Sequence, residues 1–187
     1  MNKNKRFALI QIALMLSFAF SATSALCAPA SSSKSTACAA PEYRQFDFWL
    51  GDWNAFDIAA GDKVSPSVSA HILVEGILDG CVLHEHYADP QGLKGNSFTI
   101  YDRSRKLWHQ TWVTNKGQLL VIEGTAQGKK EIVLSGKYED WAGKKITVRG
   151  VWKAVPGGVR ETAVKSTDGG KSWEPWFDLM FKPRVKK

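Results

Sequence analysis

The chain has 187 residues, of which 44% are hydrophobic and 23% charged, and a formal net charge of +7. Three of its 25 basic residues, Lys3, Lys5 and Arg6, sit in an N-terminal segment that reads as removable, which leaves 22 basic against 18 acidic residues, or +4. The remaining bases are scattered apart from Lys182, Arg184, Lys186 and Lys187 at the end, so the charge pattern excludes a phosphate-tracking stripe and gives no case for nucleic acid as a partner.

In chain order, the basic start is followed by an apolar run from Phe7 to Phe20, too short to span a bilayer comfortably, and then by the small residues Ser21, Ala22, Ser24, Ala25, Ala28 and Ala30. This is the pattern of a secretory signal peptide, taken here as residues 1–27, with cleavage after Ala25 or Ala30 as alternatives. Leu26 and Ser24 before Cys27 do not suit a lipid-anchoring site, so no stable membrane insertion is expected after cleavage. Residues 28–40, rich in Ser and Ala, read as a flexible leader, and residues 41–187 as one β-barrel domain large enough to bury a real core. Once Cys27 is removed, Cys38 and Cys81 are the remaining thiols in an oxidising compartment, and a disulfide between them is expected.

Tyr43 to Leu50 carries the single helical signal, short and aromatic, suited to plugging a barrel end. Ten β-rich runs follow at regular spacing: Trp53–Ala59, Ser69–Glu75, Cys81–Ala88, Gly95–Asp102, Leu107–Thr114, Leu119–Ala126, Glu131–Glu139, Lys145–Ala154, Gly158–Ser166 and Trp173–Lys182. Short Gly-containing connectors such as Asn115-Lys116-Gly117 and Pro156-Gly157 join them, so sequence neighbours should pair in the sheet. A meander of this length protects its edges by closing on itself. The expected fold is therefore all-β: an antiparallel up-and-down barrel of about ten strands with one short N-terminal helix.

Side chains two apart share a face of a strand. Trp108, Gln110 and Trp112 form one such face, and Leu83, Glu85 and Tyr87 another, with His84 and His86 opposite. If the aromatic faces point inward, Glu85 and Gln110 are polar groups in an apolar interior, and Glu85 needs a partner or a proton. Ser97 and Tyr101 share a face of the fourth strand, and Arg160 becomes an inward cation if Thr162 and Val164 face inside.

His84 and His86 have the spacing to present two imidazoles to one metal, but a third ligand, His71 or His109, would have to converge, and no metal site is assigned. Asp47 and Asp52 read as caps rather than as a catalytic acid pair. No nucleotide-binding loop, nucleophile elbow or catalytic thiol is present, so no catalytic residue is assigned and a binding protein is favoured over an enzyme. Ser166-Thr167-Asp168-Gly169-Gly170-Lys171-Ser172-Trp173 resembles the Asp box of sialidases and other propellers, in which the Asp and Ser tie a turn and the Trp packs beneath it. A single copy implies a turn clamp built on Asp168 and Trp173, not a propeller.

Phe46-Asp47-Phe48-Trp49-Leu50-Gly51-Asp52-Trp53, with Gly80-Cys81, Tyr101-Asp102, Trp108-x-Gln110-x-Trp112 and the Asp box, resembles a family of exported bacterial proteins of unknown function across nearly the whole mature domain. The short helix before Gly51-x-Trp53 also resembles the opening of calycin and lipocalin barrels. That resemblance implies that Trp53 closes the barrel bottom with a basic residue, here Arg184, packed over it. Ten strands resemble the fatty-acid-binding or nitrobindin-like branch; the histidines match no haem motif, and no cofactor is assigned.

The expected function is a periplasmic or secreted barrel that binds a small, largely apolar ligand. Glu85 and Gln110 would orient its polar end, with Tyr87, Ser97, Tyr101, Trp108, Trp112 and Arg160 around it. Two other readings stand beside it. One is a small hydrolase or isomerase with Glu85 as general base; the other is a structural or interaction module of the cell envelope.

Overall fold

The computed structural model of the protein describes residues 37–140 and 142–185. The expected signal peptide, and the leader up to residue 36, lie outside the described residues. Eleven strands occur in chain order: β1 (Gly51–Ala59), β2 (Lys63–Val64), β3 (Ala70–Ile77), β4 (Val82–Ala88), β5 (Lys94–Asp102), β6 (Leu107–Thr114), β7 (Leu119–Ala126), β8 (Glu131–Glu139), β9 (Lys145–Val155), β10 (Gly158–Ser166) and β11 (Glu174–Pro183). β2 is a two-residue ribbon folded back on the end of β1. The other ten form a closed antiparallel barrel in which each strand pairs with its sequence neighbour and β11 returns to β1. That seam runs from Trp53 opposite Pro183 to Asp57 opposite Leu179. All ten expected strands form, with ends displaced by at most two residues.

The alternation that predicts the strands also sorts their faces. On β3, Ala70, Ile72 and Val74 are buried while His71, Leu73 and Glu75 are exposed. Short hairpins force strand ends into two rings. One ring gathers the starts of β1, β4, β6, β8 and β10, and the segment leading into β1 covers it.

That segment forms two separate 3₁₀ turns, Pro41–Arg44 and Asp47–Trp49, in place of one helix. Tyr43, Phe46 and Trp49 explain the choice: they are buried at a spacing of three, and a helix of three residues per turn puts all of them on one face. Phe46, fully buried, stacks on Trp49 at 5.1 Å between ring centres and meets Trp108 and Trp152 edge-on at 5.6 and 5.7 Å. Trp108 Nε1 donates to Gln45 Oε1 at 3.1 Å, which ties the plug to the wall. Trp53 is buried beneath and donates from Nε1 to the Trp49 carbonyl at 3.0 Å. Gly51, at φ +151°, permits this, since a Cβ there would lie 2.8 Å from the Trp53 ring.

Arg184 does not stack on Trp53. Its guanidinium lies 3.9 Å from Asp52 Oδ1, while its backbone N–H donates to the Asp52 carbonyl at 2.8 Å. The nearby carboxylate attracts the cation away from the indole. Among the described residues the side-chain cations placed over rings are Arg149 above Trp173 and Lys182 above Phe56.

Cys38 and Cys81 are joined in a disulfide with Cα atoms 5.2 Å apart. It staples the segment ahead of the plug to the β3–β4 turn, where Arg44 also donates to the Gly80 carbonyl. Closing a loop with a sequence separation of 43 corresponds to about 4 kcal/mol in the chain-entropy account. Such a bond fits a non-reducing environment, and among the described residues no helix is long and apolar enough to cross a membrane.

At the opposite end, Ser166 to Trp173 forms a tight clamp. Asp168 Oδ1 accepts from the backbone N–H of Lys171 at 2.9 Å and of Ser172 at 3.0 Å, and Ser166 Oγ donates to it at 2.7 Å. Ser172 Oγ donates to Oδ2 at 2.6 Å, and Trp173 Nε1 reaches the Gly170 carbonyl at 3.1 Å. These bonds, with the Ser172 hydroxyl foremost, hold the Asp168 carboxyl well below its usual range.

Candidate functional site

The plug fills only one end of the barrel. Toward the other lies a cavity of about 310 Å³, within the size range of small-ligand sites. Its walls are mostly apolar, with Ile72, Leu120, Ile122, Val148 and Leu179 among them. Toward the mouth they become aromatic, with Tyr87 edge-on to Trp112 at 5.6 Å between ring centres. Trp112 gains its place because Gly95 lies beside it; a Cβ on Gly95 would come within 2.2 Å of the indole. Trp176 and Phe177 both border the cavity although adjacent strand residues normally point apart. The pairing of β10 with β11 explains this: Ala163 opposes Phe177 and Val164 opposes Pro175, so Trp176 is the extra residue of a bulge that turns it toward the interior.

The acidic and amide side chains that border this space are Asp57, Glu85, Gln110, Gln118 and Glu161, with the Ser69 hydroxyl and the Tyr87 phenol beside them. Glu85 (β4, 7% exposed) accepts from Ser97 Oγ through Oε2 at 2.7 Å, and no other side-chain hydrogen bond to it occurs among the described residues. Gln110 (β6) donates from Nε2 to Thr99 Oγ1 at 2.9 Å, which leaves its carbonyl oxygen free as an acceptor. Glu161 (β10) lies opposite Trp152 on one side and Leu179 on the other. It keeps some accessible surface and borders the cavity, while the protein packed around it removes most of its hydration. Asp57, at the end of β1, is bonded to Ser69 and borders the space nearer the mouth.

Loss of water dominates the electrostatics. Burial lifts the Glu85 carboxyl from 4.5 to about 7, against the opposing bond from Ser97. Glu161 is held well above its usual value by burial and then by the charge of Glu85. The Tyr87 phenol is pushed up to about 12 by burial and by the negative charges of Asp89, Glu85, Glu161 and Asp57. Trp152 Nε1 is buried without a well-formed hydrogen bond, although it lies near enough to the Glu161 carboxylate to favour the charged form.

Of the residues singled out from sequence, Glu85, Tyr87, Gln110 and Trp112 border the cavity. Ser97 is fully buried behind Glu85 and acts through it. Trp108 and Tyr101 lie on the inward face but at the plugged end, packed on Phe46 and Tyr43, so they seat the plug rather than wall the ligand space. Arg160 is a correction. It faces outward, with Nη2 2.6 Å from Asp178 Oδ2 and 2.7 Å from Asp62 Oδ1. The inward face of β10 is Val159, Glu161 and Ala163 instead. An unpaired guanidinium inside would lose its hydration, whereas two carboxylates outside replace that hydration with charge-assisted bonds.

His84 and His86 come together, with ring centres 4.0 Å apart, but neither His71 nor His109 joins them. His84 stacks on Phe98 at 4.5 Å and bonds Asn96, His86 lies 3.7 Å from Glu75, His109 bonds Glu123, and His71 bonds Asn54. No group of three or more His, Cys, Asp or Glu suited to a metal ion occurs among the described residues. The chain matches no model of a known protein family and no curated protein.

Proposed function

We propose that this is an exported binding barrel that takes a small, largely apolar ligand into its interior, with Glu85 and Gln110 orienting the ligand's polar end. The observation that carries this reading is the cavity of about 310 Å³, apolar along its walls and bordered by two buried polar side chains that keep unused acceptor oxygens. A core evolved for packing alone gains nothing from a buried carboxylate beside an open space. Export is supported by the disulfide and by the N-terminal sequence pattern. The calycin-like character of the barrel and kinship with exported proteins that share the Phe46–Trp53 motif are parts of the same proposal.

Native mass spectrometry of the periplasmic protein, beside binding of an uncharged fluorescent dye such as N-phenyl-1-naphthylamine, tests the reading. Wild type should bind the dye, and Ala163→Trp, which fills the cavity from β10, should abolish binding. Dye binding that survives this substitution would place the ligand elsewhere and refute the proposal.

A carboxyl raised to about 7 is also poised as a general base, which favours a hydrolase or isomerase as a second reading. Turnover found by substrate screening and lost in Glu85→Gln, with binding retained, would establish it.

A further inference from the structure

We propose that the ligand of this cavity is a primary amine on an apolar body, its ammonium group held between Glu85 and Glu161 and its body against the aromatic wall. This rests on the reading of the barrel as a binding protein and deepens it.

The argument begins with what the interior lacks. Asp57, Glu85 and Glu161 border the cavity, and among the described residues no Lys, Arg or His does. Elsewhere the chain neutralises its carboxylates in the ordinary way: Asp178 and Asp62 with Arg160, and Asp102 with Arg105. Arg160 neighbours Glu161 in sequence yet is turned out to the surface. The two interior glutamates are thus left without a cation, although each loses most of its hydration on folding.

Beside the donors of Tyr87, Gln118 and the Trp152 indole, this space leaves three sets of acceptor atoms unused: the second oxygen of Glu85, the carboxyl oxygens of Glu161 and the carbonyl oxygen of Gln110. An alkylammonium supplies three N–H donors and one positive charge, which answers both deficits together. A carboxylate ligand would bring a negative charge into an interior that already disfavours the ionisation of its own glutamates, and an alcohol would supply one donor and no charge. Trp112, Trp152, Tyr87 and Trp176 line the same space, and their ring faces add attraction for a cation. The volume equals the liquid share of about ten water molecules, room for an arylalkylamine rather than a long lipid.

Proton release supplies an independent signature. Glu85, Glu161 and Tyr87 bind protons more tightly than usual in the empty cavity, with Asp57 and Asp89 the other charged groups facing them. An ammonium ion favours the charged carboxylates, so its entry expels protons to the buffer.

The test uses the full, disulfide-bonded chain at pH 7 with 2-phenylethylamine, 2-phenylethanol and phenylacetate as probes. Displacement of the uncharged dye is read by fluorescence, and proton release by calorimetry in two buffers of different ionisation enthalpy. The amine should bind at least tenfold more tightly than the alcohol, with proton release, and phenylacetate more weakly than either. The Glu85→Gln/Glu161→Gln double variant should lose the preference for amine over alcohol, read by calorimetry as the ratio of the two probes' affinities. Equal or tighter binding of the alcohol or phenylacetate, or a preference that survives the double substitution, would overturn the amine proposal while leaving the binding barrel intact. Failure of wild type to bind the dye or any probe would remove both.

Discussion

Replacing Glu85 by Gln should leave stability nearly unchanged below about pH 4.5, raise it progressively as pH climbs from there to about 7, and keep the full gain above that. Glutamine keeps the shape of the side chain and can accept the bond from Ser97 Oγ, so it mimics the protonated acid. The wild-type carboxyl titrates at 4.5 in the unfolded chain and at about 7 when folded. The stability that comes from its bound proton is therefore fully present below pH 4.5 and is lost as pH rises through about 7. By pH 8.5 that gap corresponds to about 3 kcal/mol, which for a chain of this size moves the melting temperature by about 6–12 °C. Relief of the charge felt by Glu161 works in the same direction. The assay is urea unfolding at pH 5, 7 and 8.5 with the disulfide intact, followed by tryptophan emission, comparing midpoints at constant slope. A difference independent of pH, or a variant less stable than wild type at pH 8.5, would refute the assignment of Glu85 as a carboxyl buried in low dielectric.

Reducing the Cys38–Cys81 bond, or substituting Cys81→Ser, should lower stability by up to about 4 kcal/mol, read as a shift of the urea midpoint with and without reductant. Phe46→Ala should cost about 3–5 kcal/mol, because the ring is fully buried among Trp49, Trp108 and Trp152, and the loss should appear in thermal unfolding. Asp168→Ala should release the Lys171 and Ser172 amides, seen as faster hydrogen exchange confined to that turn. Gly95→Val should push the Trp112 indole into the cavity, shifting tryptophan emission and weakening dye binding while the barrel still forms.

The barrel is legible because half-buried strands alternate, and the alternation on β3, β4 and β6 is strong enough to give both the strand and its inward face. Glu85 and Gln110 are found for that reason: each sits between two large apolar neighbours at i±2. β10 is ambiguous by the same measure. Val159, Glu161 and Ala163 on one face and Arg160, Thr162 and Val164 on the other carry similar apolar content, so periodicity does not choose. What decides is the environment across the strands, with Asp178 and Asp62 waiting outside for Arg160. Trp176 escapes any two-residue period because a bulge in the β10–β11 pairing re-aims it. Tyr101 and Trp108 lie on the expected face, yet depth along the barrel axis, which depends on where the plug sits, assigns them to the closed end. The plug's departure from a single helix is visible only in retrospect, in the spacing of three between Tyr43, Phe46 and Trp49.

The seam between β1 and β11 joins residues about 130 positions apart in the chain. Until Glu174–Pro183 arrives, every earlier strand can pair with its neighbour, yet the sheet still has two raw edges and the cavity has no wall on one side. Closure therefore waits on the final strand, and a chain with so distant a contact folds slowly compared with one whose contacts are local. An incomplete chain would carry the whole ladder and remain sticky along both borders. The last ten-residue strand acts as a zip fastener, and loss of that strand alone should turn a closed barrel into an aggregating sheet.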